Sequence, residues 1–590
     1  MLKLAARLLL FWLSPAFLIA QNIPPERRTD WQNAGLTAPP PTYAAIRNIL
    51  DFGGKGDSLT LNDEPFIQAL ASLEGEPGII DFPPGKYLFQ ESLSMRDSLI
   101  LRGAGADQTR FYFDLGGASQ HCISFQGLVE PANLSIPLLE PCIVGDSLLH
   151  LQSDLKPGDF VKLEWNDSLV IYSSWARGAA GQLFLIKDSE TDHISLNHPL
   201  RISATLDQNP RLRKINPVKN AGVECIYLKR LDGEVPFTAN ISLDYALRCW
   251  LSGIESEQCN FGHFTLNTSA QCEIYGCYLH DAFAYGGGGQ GYGVVLQSTS
   301  SDNRVQNNIF RHLRHSMLLQ SGANGNVLAY NFSTEPFWEE FPNDGAGEIA
   351  IHGNYPSYNL FEGNICKNIR PDGSHGLNGP MNTLFRNRTS GYGLIFSAPQ
   401  YQANYNIAGN EILQGGFLQG LYIVSGTNHL ELANYQNGNI VPSNAPVTQE
   451  PSLYWTLPPK FLNETSFLIG PPANFNSGTI PARERFNSPF SKTTCDIREN
   501  IWVGVHNATA TDAPLFQLFP NPATSTFVVN SQQPGHLEIF DLAGSKKWQG
   551  QIPIGQQSVF CASWPNGYYL ATLRSQDGIS HLWLVKGPNN

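Results

Sequence analysis

The sequence predicts a right-handed parallel β-helix, and three observations predict it. A short pattern recurs across residues 271–412: a polar residue, four residues, then a second polar residue, with apolar residues between. It reads Cys272-Glu-Ile-Tyr-Gly-Cys277, Asn303-Arg-Val-Gln-Asn-Asn308, Asn326-Val-Leu-Ala-Tyr-Asn331, Asn359-Leu-Phe-Glu-Gly-Asn364 and Asn382-Thr-Leu-Phe-Arg-Asn387, with a decayed copy, Asn406-Ile-Ala-Gly-Asn410, at the end. The starts are separated by 31, 23, 33, 23 and 24 residues; a shortest step near 23, lengthened by loop insertions, is the period of one solenoid coil. Each copy holds a β-compatible core too short for a helix. The leucine spacing of leucine-rich repeats is absent.

One such coil cannot bury its apolar face alone and must stack on its neighbours. Coils stacked about 4.8 Å apart would align Asn303, Asn326, Asn359 and Asn382 in a ladder, with Val305, Leu328, Leu360 and Leu384 in the core. Asn suits the corners because it tolerates left-handed backbone and bonds locally. Cys272 and Cys277 occupy ladder positions held elsewhere by Asn, and are not at metal-type spacing. Pairing of Cys272 with Cys277, Cys249 or Cys259 stays open.

Taken in order, residues 1–20 read as a secretory signal: Lys3 and Arg7, then an apolar run broken by Ser14-Pro15, then Ala20 before the cut. Export lets the ten cysteines oxidise. No later stretch is long and apolar enough to span a bilayer, so no transmembrane segment is expected after signal removal. A net charge of −13 argues against nucleic acid as a partner. Charged residues are only 15% against 54 Gly and 40 Pro, which favours a chain rich in strands and turns.

Residues 21–44 form a Pro-rich extended leader, and 45–505 the solenoid. Its start reads Ile49-Leu-Asp-Phe-Gly-Gly-Lys-Gly-Asp57, then a short amphipathic helix over 62–70, then strands in Ile79-Ile-Asp-Phe-Pro-Pro-Gly-Lys-Tyr-Leu88 and Ser98-Leu-Ile-Leu-Arg-Gly-Ala-Gly105. This order resembles the N-terminal cap and first coils of the pectate-lyase-superfamily β-helix proteins. The resemblance implies the fold, and it is shared by lyases, hydrolases, epimerases and phage tailspikes. Family members typically have Gly-Asp-Gly-x-Thr-Asp-Asp here; this chain has a degenerate copy, Gly56-Asp-Ser-Leu-Thr-Leu-Asn-Asp63.

Residues 141–220 break the coil rhythm and read as a small inserted β-domain. After 412 the repeat fades, and Pro451-Ser-Leu-Tyr-Trp455 and Thr479-Ile-Pro-Ala482 read as a tail capping the last coil. Residues 506–514 form a small-residue linker. Residues 515–590 carry Phe516-Gln-Leu-Phe-Pro-Asn-Pro-Ala523, Leu537-Glu-Ile-Phe-Asp-Leu-Ala-Gly544 and Pro565-Asn-Gly-Tyr-Tyr-Leu570. These three motifs resemble the C-terminal sorting domain of type IX secretion, a small β-sandwich. That implies the type IX machinery as a partner, and a secreted or surface-attached protein that has passed through the periplasm.

For chemistry, His352 and His375 each lie seven residues before a ladder Asn and each precede Gly, which places them on successive coils. Leu296 and Leu319 hold the same count in the preceding coils, so an interior histidine stack is the competing reading. Arg311, His312, Arg314 and His315 crowd five positions in a chain poor in charge, with Arg311 in the position His280 holds one coil earlier. Regular alternation would put Arg311 and His315 on one face. Tyr285-Gly-Gly-Gly-Gly-Gln-Gly-Tyr292 reads as a mobile loop at a cleft edge, with Tyr292 reaching its rim as acid or base. Tyr285, Trp338, Asp344, Glu348 and His280 would contact substrate, and Asp344 or Glu348 would also orient a histidine.

Arg and His supply what a lyase on a uronate needs: a donor that neutralises the carboxylate and a base of matched pKa. The paired carboxylates of a glycoside hydrolase and the signature motifs of calcium pectate lyases and mannuronan epimerases are not found. The expected partner is a polysaccharide, with β-elimination first, hydrolysis or epimerisation on the same scaffold as alternatives, and non-catalytic glycan binding beside them. The cofactor stays unnamed: Ca2+ is compatible with uronate chemistry, but no ligand motif specifies it.

Overall fold

The computed structural model describes residues 21–462, 467–500, 516–519, 523–531, 533–541, 545–575 and 578–587. The expected signal, 1–20, and linker, 506–514, lie outside them. The chain divides into two units, residues 1–504 and 505–590. The first is a right-handed parallel β-helix carrying an antiparallel insert.

Among the described residues, 12 strands from Ala45–Asn48 to Leu430–Glu431 stack in parallel as one sheet. Two further parallel faces complete each coil. One holds Tyr227–Arg230, Glu255–Cys259, Tyr278–Ala282 and Ile309–Arg311. The other holds Ala239–Asp244, Gly262–Asn267, Tyr292–Gln297, His315–Leu319 and Ile349–Gly353. The helix expected near 62–70 is Asp63–Ala71, packed at the N-terminal end through Phe66 and Ala69.

The amide ladder forms, and its chemistry differs from the expectation. Asn303 Nδ2 donates to Asn326 Oδ1 at 3.0 Å, Asn326 to Asn359 at 2.9 Å and Asn359 to Asn382 at 3.0 Å. Each Oδ1 also accepts the backbone N–H of the Asn one coil earlier. A second ladder runs through Asn308, Asn331, Asn364, Asn387 and Asn410 to Asn434. Left-handed backbone falls on the residue before each rung instead: Asp302, Gly325, Tyr358 and Met381 in one series, Asn307, Tyr330, Gly363 and Arg386 in the other. Asn is therefore placed for its amide, which both donates and accepts between coils. Asn406 leaves the first ladder and bonds Thr383 Oγ1 and the leader's Arg27, so the decayed copy starts out of register while its Asn410 keeps a rung of the second ladder.

Inside the coils Val305 aligns with Leu328, Phe361 and Leu384. Leu360, expected in the core, faces outward beside Val327, because successive strand residues alternate faces and Phe361 takes the inward place. The cysteine pairing left open by the sequence resolves away from Cys272 and its candidate partners. Cys272, Cys277, Cys249 and Cys259 are buried free thiols, and Cys225 bonds Cys495 instead.

The outer face of the 12-stranded sheet is sheathed. The leader runs along it, with Trp31 Nε1 donating to Tyr358 O and Leu36 O accepting from Arg304. The tail runs back beside the coils rather than over the last one: Leu453 N reaches Glu362, Tyr454 Oη reaches Gln306, and Arg498 reaches Glu224. Cover explains the buried pairs Arg304–Glu273, 2.9 Å, and Arg388–Glu411, 2.6 Å, because a buried charge survives only when paired and bonded.

The insert is an antiparallel sheet with strands from Leu128–Val129 to Arg211–Asn216 around its own apolar core. It sits against the turns that follow the face carrying Tyr292 and His352. Arg201 and His198 bond Asp302, and Arg201 Nη1 donates to Asn324 Oδ1. The C-terminal unit has a three-stranded and a four-stranded antiparallel sheet around Phe527, Val529, Leu537 and Ile539. No helix among the described residues is long and apolar enough to cross a membrane.

Candidate functional site

Alternation along the third face fixes what points outward. Leu296, Leu319 and Ile351 align in the interior, so Gln297, Gln320 and His352 align outside. His352 is thus not the successor of Leu319, as counting back from the Asn ladder suggested. The turn after Ile351, with Asn354 and Tyr355 both at positive φ, holds one residue more than in the coil before and shifts the count. The interior-stack alternative fails for the same reason.

Rings from successive coils then form an unbroken row. Centroids of Phe237 and Phe261 are 6.0 Å apart, Phe261 and Tyr292 5.3 Å, and Tyr292 and His315 5.3 Å. His315 to His352 is 5.7 Å, His352 to His375 5.0 Å, and His375 to Trp175 of the insert 5.4 Å. All of the row except His315 lines a cavity of about 680 Å³, whose walls include Gly288 and Gly289 of the glycine-rich loop, Arg314, Gln297 and Gln320.

Hydrogen bonds assign the nitrogens. His352 Nδ1 lies 2.8 Å from Asp372 Oδ2. Burial works to raise the Asp372 carboxyl, but the His352 bond and charge and the Ser374 N–H outweigh it and bring it down to about 2. Asp372 therefore accepts, Nδ1 carries the proton, and His352 Nε2 is left for the groove. His315 Nδ1 lies 2.6 Å from Gly347 O, which can only accept. Burial, with His352 and Arg314 nearby, pushes His315 down to about 3, so it is a neutral ring wedged in the row. Burial chiefly, then His352, also lowers His375, whose Nδ1 is 3.3 Å from Ser173 Oγ.

Tyr292 is raised by burial and stays a protonated donor. Arg314 Nη1 donates to Gly286 O at 2.6 Å, while its Nε has no partner among the described residues. Its guanidinium carbon lies 5.8 Å from the ring centres of both Tyr292 and Trp338, within cation–π range.

The remaining expected residues go elsewhere. Strand Ile309–Arg311 ends at a corner where His312 is left-handed, so Arg311 and His315 fall on different faces. Arg311 pairs with Glu335 at 2.9 Å and lies 3.7 Å from Asp281. His280, its register partner, bonds Asp281 at 2.8 Å and Glu255 at 3.4 Å beside the Tyr278 ring. Tyr285 braces the glycine-rich loop against His312 and Phe337, and its Oη accepts Ala282 N–H. Trp338 Nε1 donates to Pro342 O.

Asp344 accepts from Tyr392 Oη, and among the described residues it is Asp372, not Asp344 or Glu348, whose carboxylate bonds a groove histidine. Glu348 is buried, accepts from Ser333 Oγ and the N–H groups of Lys367 and Asn368, and is pushed up to about 7 by burial. Sequence reasoning missed Asp372, Trp175, Phe237 and Phe261. Only Asp372 had a local signal, three residues before His375 in Asp-Gly-Ser-His. For a metal, Glu190, Asp192 and His193 on the insert group closely enough, but they are not among the groove-lining residues.

Residues 46–127 match the family described as Rhamnogalacturonase A/epimerase, pectate lyase-like. Residues 517–586 match the Secretion system C-terminal sorting domain. No curated protein matches the chain. The tailspike protein gp49 of Pseudomonas phage LKA1 is similar at 15% identity, covering 62% of this chain and 63% of that one, with a TM-score of 0.50. The tailspike gp61 of Pseudomonas phage phi297 is similar at 13% identity, covering 67% and 66%, with a TM-score of 0.46. The chain spans just under two thirds of each tailspike's length, and at 15% identity the likeness to gp49 is one of fold.

Proposed function

We propose that this is an exported polysaccharide-active enzyme that removes the proton beside a uronate carboxylate, most simply to cleave the chain by β-elimination. The carrying observation is the pairing of His352 Nδ1 with Asp372, which leaves the other imidazole nitrogen to a groove that also holds Arg314. In this reading Arg314 neutralises the uronate carboxylate with its partly used fork. His352 Nε2 takes the ring proton, and the electron pair forms the new C=C bond as the glycosidic C–O bond breaks. Tyr292 gives its proton to the departing oxygen. Among the described residues lining the cavity there is no Asp or Glu, whereas a hydrolase needs two opposed carboxylates.

The family description over residues 46–127 favours a second reading, hydrolysis or epimerisation on the same scaffold. Epimerisation shares the proton abstraction and differs only in returning a proton to the opposite face. Incubation with pectate, alginate and other uronate polymers separates these. Growth of the unsaturated product's ultraviolet absorbance supports elimination. Reducing ends without it support hydrolysis, solvent deuterium entering an uncut chain supports epimerisation, and binding without turnover supports a glycan-binding protein.

A further inference from the structure

Trp175 is 57% exposed and Phe237 70% exposed, yet both line the cavity. They are the two ends of the ring row, with His352 between them. Large rings left in water at opposite ends of one groove mark a surface that a ligand covers.

The loop that carries Trp175 is fitted to the solenoid. Asn354 Oδ1 accepts from Tyr172 N and Ser173 N at 3.0 and 2.9 Å. Thr299 Oγ1 donates to Ala179 O at 2.7 Å, and Asp167 accepts from Gly178 N and Ala180 N. Where the loop comes closest the solenoid has glycine: a Cβ on Gly322 would lie 1.8 Å from Ala179 O, and one on Gly376 would lie 2.7 Å from Tyr172 Cβ. These bonds hold an aromatic ring in solvent, which adds nothing to the core.

We propose that Trp175 and Phe237 are stacking subsites for sugar rings on either side of the reacting centre. The groove then takes an internal stretch of a polysaccharide and acts within the chain, and the insert sets specificity on the His375 side. The apolar faces of pyranose rings suit exposed aromatic walls, and the sugar between them meets Arg314 and His352. A site acting from chain ends would place its reacting residue at one end of the row. Here two ring steps, 5.0 and 5.4 Å, separate His352 from Trp175, and four separate it from Phe237. The proposal rests on the polysaccharide reading of the groove.

The test uses the full chain, with pectate and alginate as probes, in native gels containing each polymer and in time courses of product size. Either polymer should retard the wild-type protein. Trp175→Ala and Phe237→Ala should each weaken that retardation at least fivefold, while Trp175→Phe keeps most of it. On a polymer that is turned over, the first products should be mixed oligomers, and Trp175→Ala should raise KM about tenfold with kcat changed less than threefold. Unchanged retardation in Trp175→Ala, or only mono- and disaccharides from the first time point, overturns the proposal. Retardation lost in Trp175→Ala without an unsaturated product sinks the elimination reading and supports the subsites. No retardation of the wild-type protein in either gel overturns both.

Discussion

His352 Nδ1 donates to Asp372 Oδ2 across 2.8 Å, and that bond decides which imidazole nitrogen faces the groove. Asp372 is itself fixed by Ser374 N–H at 2.9 Å, so the pair cannot easily turn. A carboxylate that orients a histidine in this way sets its tautomer.

His352→Ala should lower kcat by roughly 10²- to 10⁴-fold, the usual contribution of a general base, with KM little changed, because the lost interaction belongs to the transition state. Asp372→Asn should cost less, since the imidazole stays in place with its tautomer released. Steady-state kinetics on the polymer that is turned over checks both. An equal loss in binding with kcat intact would remove His352 from the chemistry.

Arg314→Ala should raise KM and lower kcat together on a free uronate polymer. Arg314→Lys should rescue little, because a single ammonium does not reproduce the guanidinium fork. On a methyl-esterified polymer the difference between wild type and Arg314→Ala should shrink. Equal losses on both polymers would argue that Arg314 supports the glycine-rich loop through Gly286 and does not meet a carboxylate.

Asn326→Ala should destabilise the solenoid by about 3 kcal/mol, since it strands a buried backbone N–H as well as breaking amide bonds. Asn326 Oδ1 accepts from Asn303 N at 2.9 Å, and its Nδ2 donates to Ser300 O at 3.0 Å. The exposed Asn133→Ala should stay within about 0.5 kcal/mol of wild type. Urea midpoints measure the difference, and equal midpoints would mean the ladder is ornamental.

Glu348 gives a pH signature. Its carboxyl is raised from 4.5 to about 7, so the folded state holds its proton more tightly than the unfolded chain. That contribution is fully present below pH 4.5 and is lost as pH rises through 7, on the order of 3 kcal/mol. His263 and His315, both pushed down to about 3 by burial, act in the opposite sense: their cost appears as pH falls below 6.5. Glu348→Gln should therefore flatten the fall in Tm between pH 4.5 and 7. Parallel curves for the two proteins would refute this assignment.

Deleting residues 515–590 should leave the protein within the cell envelope with its solenoid folded, since the sorting-domain match covers 517–586 and that unit has its own core. Normal appearance of the truncated chain in the medium would contradict it.

Much of the fold was legible because its rules are local and repeat. Four successive coils turn through a left-handed residue followed by an amide, so spacing alone marked Asn303, Asn326, Asn359 and Asn382 and located the coils. The C-terminal motifs were legible for the same reason, being short contiguous strings. The sequence by itself thus determined the architecture, the existence of the insert and the crowding of His and Arg near 311–315. What only the tertiary structure decided is phase and partnership. One extra residue after Ile351 exchanges inside for outside, which moved His352 from the interior to the groove. The corner at His312 separated Arg311 from His315. Trp175 meets His375 across 200 residues of chain, and Cys225 meets Cys495 across 270. Such contacts depend on where an insert or a returning tail lands on the stack, and that position is set by packing between surfaces, which leaves no period in the sequence.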